Sequence, residues 1–286
     1  MKTYVTLEEL KAYMGVSGST KDTLIKMLNE QATDIVNGIL NATDLSLHKV
    51  TDEIHDGIGQ SKIDLNDPHA IAIGSIVERI AESDQEYTQT EEYDLNNSQL
   101  GLTGYLTAGK RKVKITYAAG WNLGGSATVE IIDYTGLTAK TFTVTVGKTA
   151  DVLTEGVNWN KGTSNEAAAL SLSNALNSLK SIHSFVLGTT VYIVDETPNR
   201  ATTTIATNAL TTAMTLSSAT LGNVNFPPAI KGSIMAYVSD VFSRAKNTRV
   251  RSYTIGSKQV TFASDSEAQG FKSALNQYKR ANFTII

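Results

Sequence analysis

Few residues in this chain are placed to do chemistry. The four histidines, His48, His55, His69 and His183, fall in no HExxH or other ligand spacing, so no metal site is expected, and they read as surface or turn residues. Asp52, Glu53, Asp56, Asp64 and Asp67 lie close together but lack the twelve-residue calcium-loop pattern, which leaves a solvated acidic face. The stretch "GIGQSK", Gly57 to Lys62, differs from the phosphate-loop pattern GxxxxGK[ST]. It also runs into a strand pattern, where a helix would be needed to turn its N-terminus to a phosphate. No GxSxG occurs. With no cysteine there is no thiolate nucleophile, thiolate metal site or disulfide, which fits a reducing compartment. An enzyme is not expected, and no cofactor is implied.

Charge says more than catalytic motifs do. Lys plus Arg against Asp plus Glu is 4 against 6 in residues 1–48 and 7 against 12 in 49–123. It is 5 against 7 in 124–223 and 9 against 3 in 224–286, so the last segment carries +6 on a chain of net charge −3. Charge gathered on one segment repels itself unless a partner complements it. Two basic patches stand out: Lys110, Arg111, Lys112 and Lys114, and Arg244, Lys246, Arg249 and Arg251. Neither has interleaved aromatic stacking platforms, so sequence-specific reading of nucleic acid is not expected, and pairing with a protein surface is.

Several elements must position these residues. Thr6 to Glu9 reads as a capping box, followed by Leu7, Leu10 and Met14 at helical spacing and by Gly15 as a left-handed stop. From Lys21 to Asn41 a second, longer helix carries one wide apolar stripe through Leu24, Leu28, Ile35 and Ile39, with Ile25, Ala32, Val36 and Leu40 beside them. The amino terminus thus lacks a signal peptide's apolar block. No apolar run approaches the roughly 20 residues that span a bilayer, so a soluble protein without a membrane partner is expected.

At the other end Pro227-Pro228 starts a helix through Ile230, Ile234, Val238, Val241 and Phe242, and "VRSYTIGSKQVTF" reads as a hairpin about Gly256-Ser257. Ser264 to Glu267 is a further capping box before Ala268, Phe271, Leu275 and Tyr278. The tail "KRANFTII" ends in apolar residues where free termini are usually polar, which points to docking on a neighbour.

Between the ends lie two β regions. The first, about His48 to Trp121, alternates in Lys112 to Tyr117, with Val113, Ile115 and Tyr117 inward and Lys112, Lys114 and Thr116 on a basic outer face; Asn96-Asn97 and Gly109 read as turns. The second, rich in Thr, Ser, Gly and Ala, has strands, one helix capped at Thr163 to Glu166 with a stripe at Ala169, Leu172, Leu176 and Leu179, then more strands.

Several pieces in order resemble the head-tail connector, or head-completion adaptor, family of tailed bacteriophages. They are Leu7 to Met14, Ile115 to Trp121 within "VKITYAAGW", Pro227 to Arg244, Ser252 to Gly256 and Leu275 to Arg280. In that family the "YtaGy" strand leads by a short loop to the proline-started helix. Here Gly124 to Asn223 intervenes, loosely resembling small insertion modules of phage tail and neck proteins. The organisation expected is therefore residues 1–48 as N-terminal helices, 49–123 as a β module, 124–223 as an inserted α+β domain and 224–286 as C-terminal helices, hairpin and tail. The fold class expected is α+β, built on a helical connector core with a β module and an inserted small α+β domain.

The resemblance implies a structural virion protein in the neck, assembled in the host cytoplasm. It implies a homo-oligomeric ring of twelve copies that binds the portal protein after DNA packaging. Such a ring extends the DNA channel without sequence-specific binding of the passing DNA and offers a docking surface to stopper or tail-completion proteins. Portal contact would fall by position to Leu275, Tyr278, Lys279, Arg280, Phe283, Ile285 and Ile286, and the two basic patches would make subunit or partner contacts. The alternative is a neck-anchored binding module whose inserted domain attaches to a fibre protein or a host surface component. That role needs exposed stacking rings, and Trp159, Tyr134, Phe142, Phe185 and Tyr192 sit in strand patterns that look buried.

Overall fold

A computed structural model describes residues 2–40, 42, 44–57, 61–67, 69–80, 83–87, 93–96, 99–102, 109–200, 202–222, 224–246, 251–255, 258–262 and 275. The chain order opens with α1 (Leu7–Met14), α2 (Asp22–Leu40), β1 (His48–Gly57), β2 (Lys62–Asp64), β3 (Ala70–Ile80), β4 (Ser83–Tyr87), β5 (Tyr93–Asn96), β6 (Gln99–Leu102) and β7 (Gly109–Ala119). It continues with β8 (Ser126–Ile131), β9 (Thr141–Val146), β10 (Thr149–Thr154), α3 (Asn165–Leu176), β11 (Ile182–Leu187), β12 (Thr190–Asp195), β13 (Thr204–Thr207) and β14 (Met214–Leu216). It closes with α4 (Pro228–Lys246), β15 (Arg251–Ile255) and β16 (Lys258–Phe262). Two compact units result, Met1–Asp44 with Phe226–Ile286, and Leu45–Asn225.

In the first unit local sequence dictates local structure. The Thr6 hydroxyl accepts from the Glu9 N–H at 3.1 Å and the Glu9 carboxylate accepts from the Thr6 N–H at 2.8 Å, so both halves of the capping box form. Gly15 ends α1 at φ +63°, a conformation that costs glycine nothing. The stripe of α2 buries Ile25, Leu28, Ala32, Val36 and Leu40, and that of α4 buries Ile230, Ile234, Val238 and Phe242. Tyr4 ties the amino terminus down, donating to Asn37 Oδ1 at 2.7 Å with its ring 4.9 Å from that of Phe226. β15 and β16 pair as the expected antiparallel hairpin. The capping box at Ser264 and the helix after it lie outside the described residues, apart from Leu275, which is helical and fully buried.

Among the described residues, the second unit contains four antiparallel sheets. In residues 45–123, β1-β7-β3-β4 faces β2-β6-β5. The alternation along β7 sends Val113, Ile115, Tyr117 and Ala119 into a core with Ile63, Leu65, Ile73, Ile76 and Leu100. Gly109, read as a turn, instead opens β7 opposite Gly57. A bulge interrupts β1 between Val50 and Glu53, with Asp52 at φ +52° and its N–H on the Thr116 hydroxyl. In residues 126–222, the sheets β11-β12-β8-β14 and β10-β9-β13 share a core with α3 through Val129, Phe142, Val144, Leu172, Leu176 and Ile193. The N-cap of α3 is Ser164, whose hydroxyl accepts from the Ala167 N–H, one residue later than the sequence suggested.

The two parts of this unit meet through a seam in which Leu47 and Ala118 pack on Phe185, Leu187 and Val194. The outer face of β7 is therefore not basic throughout: Lys114 is exposed, whereas Thr116 is 9% exposed and Ala118 fully buried.

The expectation of a fold organised on a helical core is overturned. Antiparallel sheets dominate, with sixteen strands against four α-helices among the described residues. Capping boxes and long apolar stripes make helices conspicuous in a sequence. Short strands of Thr, Ser, Gly and Ala carry little periodic signal, yet together they form most of the fold.

Candidate functional site

The first basic patch lies along β7: Lys110, Arg111, Lys112 and Lys114 are all residues of that strand. Lys114 stands between Ile54 of β1 and Val77 of β3. In the second patch Arg244 and Lys246 belong to the last turns of α4, Arg251 opens β15 opposite Phe262, and Arg249 lies outside the described residues. Of the tail positions, Tyr278, Lys279, Arg280, Phe283, Ile285 and Ile286 lie outside the described residues.

Of the acids and histidines expected on the surface, Asp52 and Asp56 are exposed, and His183 lies apart on β11 beside Phe185, whereas Glu53, Asp67, His48 and His55 build a polar cluster beside the β1-β7 core. Glu53 is not part of a solvated face, since its side chain is 6% exposed. Its Oε1 accepts from the Asn66 N–H at 2.8 Å and lies 2.5 Å from His55 Nε2, while its Oε2 accepts the Tyr117 hydroxyl proton at 2.5 Å. Tyr117 in turn accepts from the Asp67 N–H at 3.1 Å. His48 places Nδ1 2.7 Å from the Ser46 carbonyl, so that nitrogen is the donor, and Nε2 3.4 Å from Asp67. His69 stacks on Trp121 with ring centroids 4.9 Å apart. His48, through Asp67, and His55, through Glu53, thus hold residues 66–67.

Burial alone would raise the Glu53 carboxyl. The hydrogen bonds from His55, Tyr117 and the Asn66 N–H outweigh burial and hold it below the ordinary glutamate value. Burial and the Glu53 carboxylate push the Tyr117 phenol well above the ordinary tyrosine range. A carboxylate already taking three donors is a poor proton acceptor, and its partner is a phenol that keeps its proton. The cluster's chemistry is that of a clasp that ties the segment after β2 to the sheet.

A second polar cluster, which the sequence did not suggest, lies where the chain enters residues 126–222. Asp195 is fully buried and takes Arg200 Nε at 2.6 Å, Arg200 Nη2 at 2.8 Å, the Thr203 hydroxyl at 2.5 Å and the Thr197 N–H at 2.9 Å. The only sequence signal is an aspartate ending the apolar strand "VYIV", with an arginine five residues on. Among the described residues no three of His, Cys, Asp and Glu are grouped to hold a metal, and no helix is long and apolar enough to cross a membrane.

Two clefts lie among the described residues. One of about 300 Å³ is lined by Ile71, Ile73, Tyr93, Leu95, Leu187 and Tyr192. The other, about 240 Å³, lies between α1 and α2 at Leu7, Leu10, Lys26 and Asn29. Neither includes Glu53 or Asp195. Of the rings that a stacking platform would need, Trp159, Phe142 and Phe185 are buried, and Tyr134 and Tyr192 are half-buried. Tyr192 is already stacked on Phe185 at 4.9 Å.

No protein-family model matches the chain, and no curated protein matches it. Nine chains of solved structures match. One of them, described as the neck of an empty GTA particle computed with C6 symmetry, is 10% identical, with a TM-score of 0.30, and the match covers 41% of this chain and 66% of that one. The match thus spans just under two thirds of that protein's length, and at this score it carries no weight for fold or function.

Proposed function

We propose that this chain is a structural protein of a tailed-phage neck, an adaptor that joins a ring beneath the portal protein after DNA packaging. In that role it extends the DNA channel and offers a docking surface to stopper or tail proteins. The observation that carries this reading is the ordered set of five sequence pieces. Where described, each falls on a discrete element: Leu7 to Met14 is α1, Ile115 to Ala119 closes β7, Pro228 to Arg244 runs along α4, Ser252 to Ile255 lie in β15, and Leu275 is helical. The +6 segment supplies charge for a protein partner, and weak contact suits a channel wall because tight phosphate pairing would slow DNA exit.

Mixing the protein with portal-bearing particles and imaging them by electron microscopy tests the proposal. A ring of density beneath the portal is expected. The absence of any complex from low to high salt overturns it.

A further inference from the structure

The chain passes between the two parts of the second unit at one place. On the way in it runs through Leu123, Gly124 and Gly125; on the way out it returns through Gly222 to Asn225. The two passages lie side by side: the Asn122 N–H donates to Asn225 Oδ1 at 2.7 Å, the Asn225 N–H to the Asn122 carbonyl at 3.3 Å, and the Ser126 N–H to the Gly222 carbonyl at 2.9 Å. Two adjacent strands of chain with glycines on both form a hinge in everything but freedom.

What removes the freedom is a strap, Asp195 to Arg200, laid over the entering passage. The Gly125 N–H donates to the Arg200 carbonyl at 2.7 Å, the Asp195 N–H to the Gly125 carbonyl at 2.8 Å, and the Asn199 N–H to the Leu123 carbonyl at 2.8 Å. The fit leaves no room for a side chain: a Cβ on Gly124 would lie 2.4 Å from the Asp195 carbonyl and 2.6 Å from that of Thr197. The strap is closed on itself by the bidentate Asp195–Arg200 pair, with Thr203 as a third partner. Among the described residues the two parts also meet at a seam of Leu47, Ala72 and Ala118 with Phe185, Leu187, Tyr192 and Val194, where Gly74 closely approaches Leu187, and at Lys49, which donates to the Val186 carbonyl at 2.8 Å. Each part has a larger core of its own.

We propose that Asp195 and Arg200 form a buckle that sets the angle between residues 45–121 and 126–222, and that unfastening it lets the second part swing on Gly124-Gly125 instead of unfolding. The buckle is a conformational device: closed, it delivers residues 126–222 to any partner at one fixed angle. Arg200 is the accessible half, its side chain 25% exposed against none for Asp195. A competing carboxylate from a partner would therefore reach Arg200 first.

The chain contains no cysteine, so Lys62→Cys and Leu170→Cys in the full-length protein place one spin label on each part, both at exposed positions. Pulsed dipolar spectroscopy on this pair is expected to give a single narrow distance. In the Arg200→Ala background the distribution is expected to broaden by about twofold, as a hinge released from its stop would, with the far-ultraviolet circular dichroism unchanged. Asp195→Asn and Thr203→Val, which preserve volume, are expected to broaden it less and serve if Arg200→Ala does not fold. A distribution that stays narrow in every folded variant overturns the proposal, because the apolar seam alone would then set the angle. Loss of circular dichroism in all three overturns it as well, because the pair would then hold the fold and not the angle.

Discussion

Tyr117 on β7 donates its hydroxyl to Glu53 on β1 at 2.5 Å, a bond between residues 64 apart in the chain. It is the innermost contact of the clasp, and Asn66, Asp67 and His55 depend on the same two side chains. Tyr117→Phe leaves a buried carboxylate oxygen and the Asp67 N–H without this partner, at an expected cost of about 2 kcal/mol in chemical denaturation at neutral pH. The pH dependence has a definite sign. A carboxyl whose folded value lies below the ordinary 4.5 contributes stability that is present above that value and lost as pH falls through the folded one. The stability difference between the natural protein and Glu53→Gln should therefore be full above pH 5 and shrink under acid. A difference that does not change with pH contradicts the assignment.

Gly74 and Gly125 are both places of close approach, but what they approach differs. A Cβ on Gly74 would lie 2.7 Å from Leu187 Cδ2, the movable end of a side chain, whereas one on Gly125 would lie 2.1 Å from the Leu221 carbonyl oxygen. Gly74→Ala is expected to cost about 1–3 kcal/mol as overpacking, and Leu187→Ala in the same chain should recover part of the loss. Gly125→Ala should cost more and have no such rescue, because backbone cannot step aside. Equal melting temperatures for the two single variants would contradict this ordering.

How far the sequence could be read depended on the range of the interaction. The Thr6–Glu9 box and the inward alternation of Val113, Ile115 and Tyr117 involve neighbours a few residues apart, so residue type and spacing state them outright. Glu53 reads as one acid among five because two of its three donors, Asn66 and Tyr117, lie far along the chain, and His55 two residues on does not by itself announce a buried carboxylate. The same holds for the face of β7. Lys114 and Ala118 share that face by period, but only the arrival of Phe185 and Leu187 decides that one is solvated and the other buried. Helices stand out in the sequence for a related reason, since a helix stabilises itself within one window of sequence, while β8 finds β12 and β14 far along the chain.

Removal of Lys279 to Ile286 bears on the adaptor reading alone. The segment carries two positive charges and an apolar end, a combination that suits docking on an acidic surface with a hydrophobic pocket. The truncated protein is expected to keep its circular dichroism and melting temperature and to lose co-sedimentation with portal-bearing particles. Unchanged co-sedimentation refutes the role of the tail while leaving the ring itself to be judged by imaging.

Deletion of Gly125 to Asn223 tests whether residues 124–223 are an insertion. The geometry at the ends favours excision: Asn122 and Asn225 are already hydrogen-bonded to each other, so the new junction spans a gap that the chain closes at no cost in strain. The core of Ile63, Leu65, Ile73, Ile76, Val113 and Ile115 lies on the other face of the sheet from the seam and loses nothing. What the deletion does expose is the seam itself, where Leu47 and Ala118 would face water with Ala72 and Gly74 beside them. Small residues dominate that patch, so the penalty should appear mainly as self-association and less as unfolding. The expected product has cooperative thermal unfolding and a strand-rich spectrum but elutes partly as higher-order species, and Leu47→Thr should shift it toward monomer. A deletion protein without a cooperative transition, with or without that substitution, means that residues 45–123 require the rest of their unit to fold.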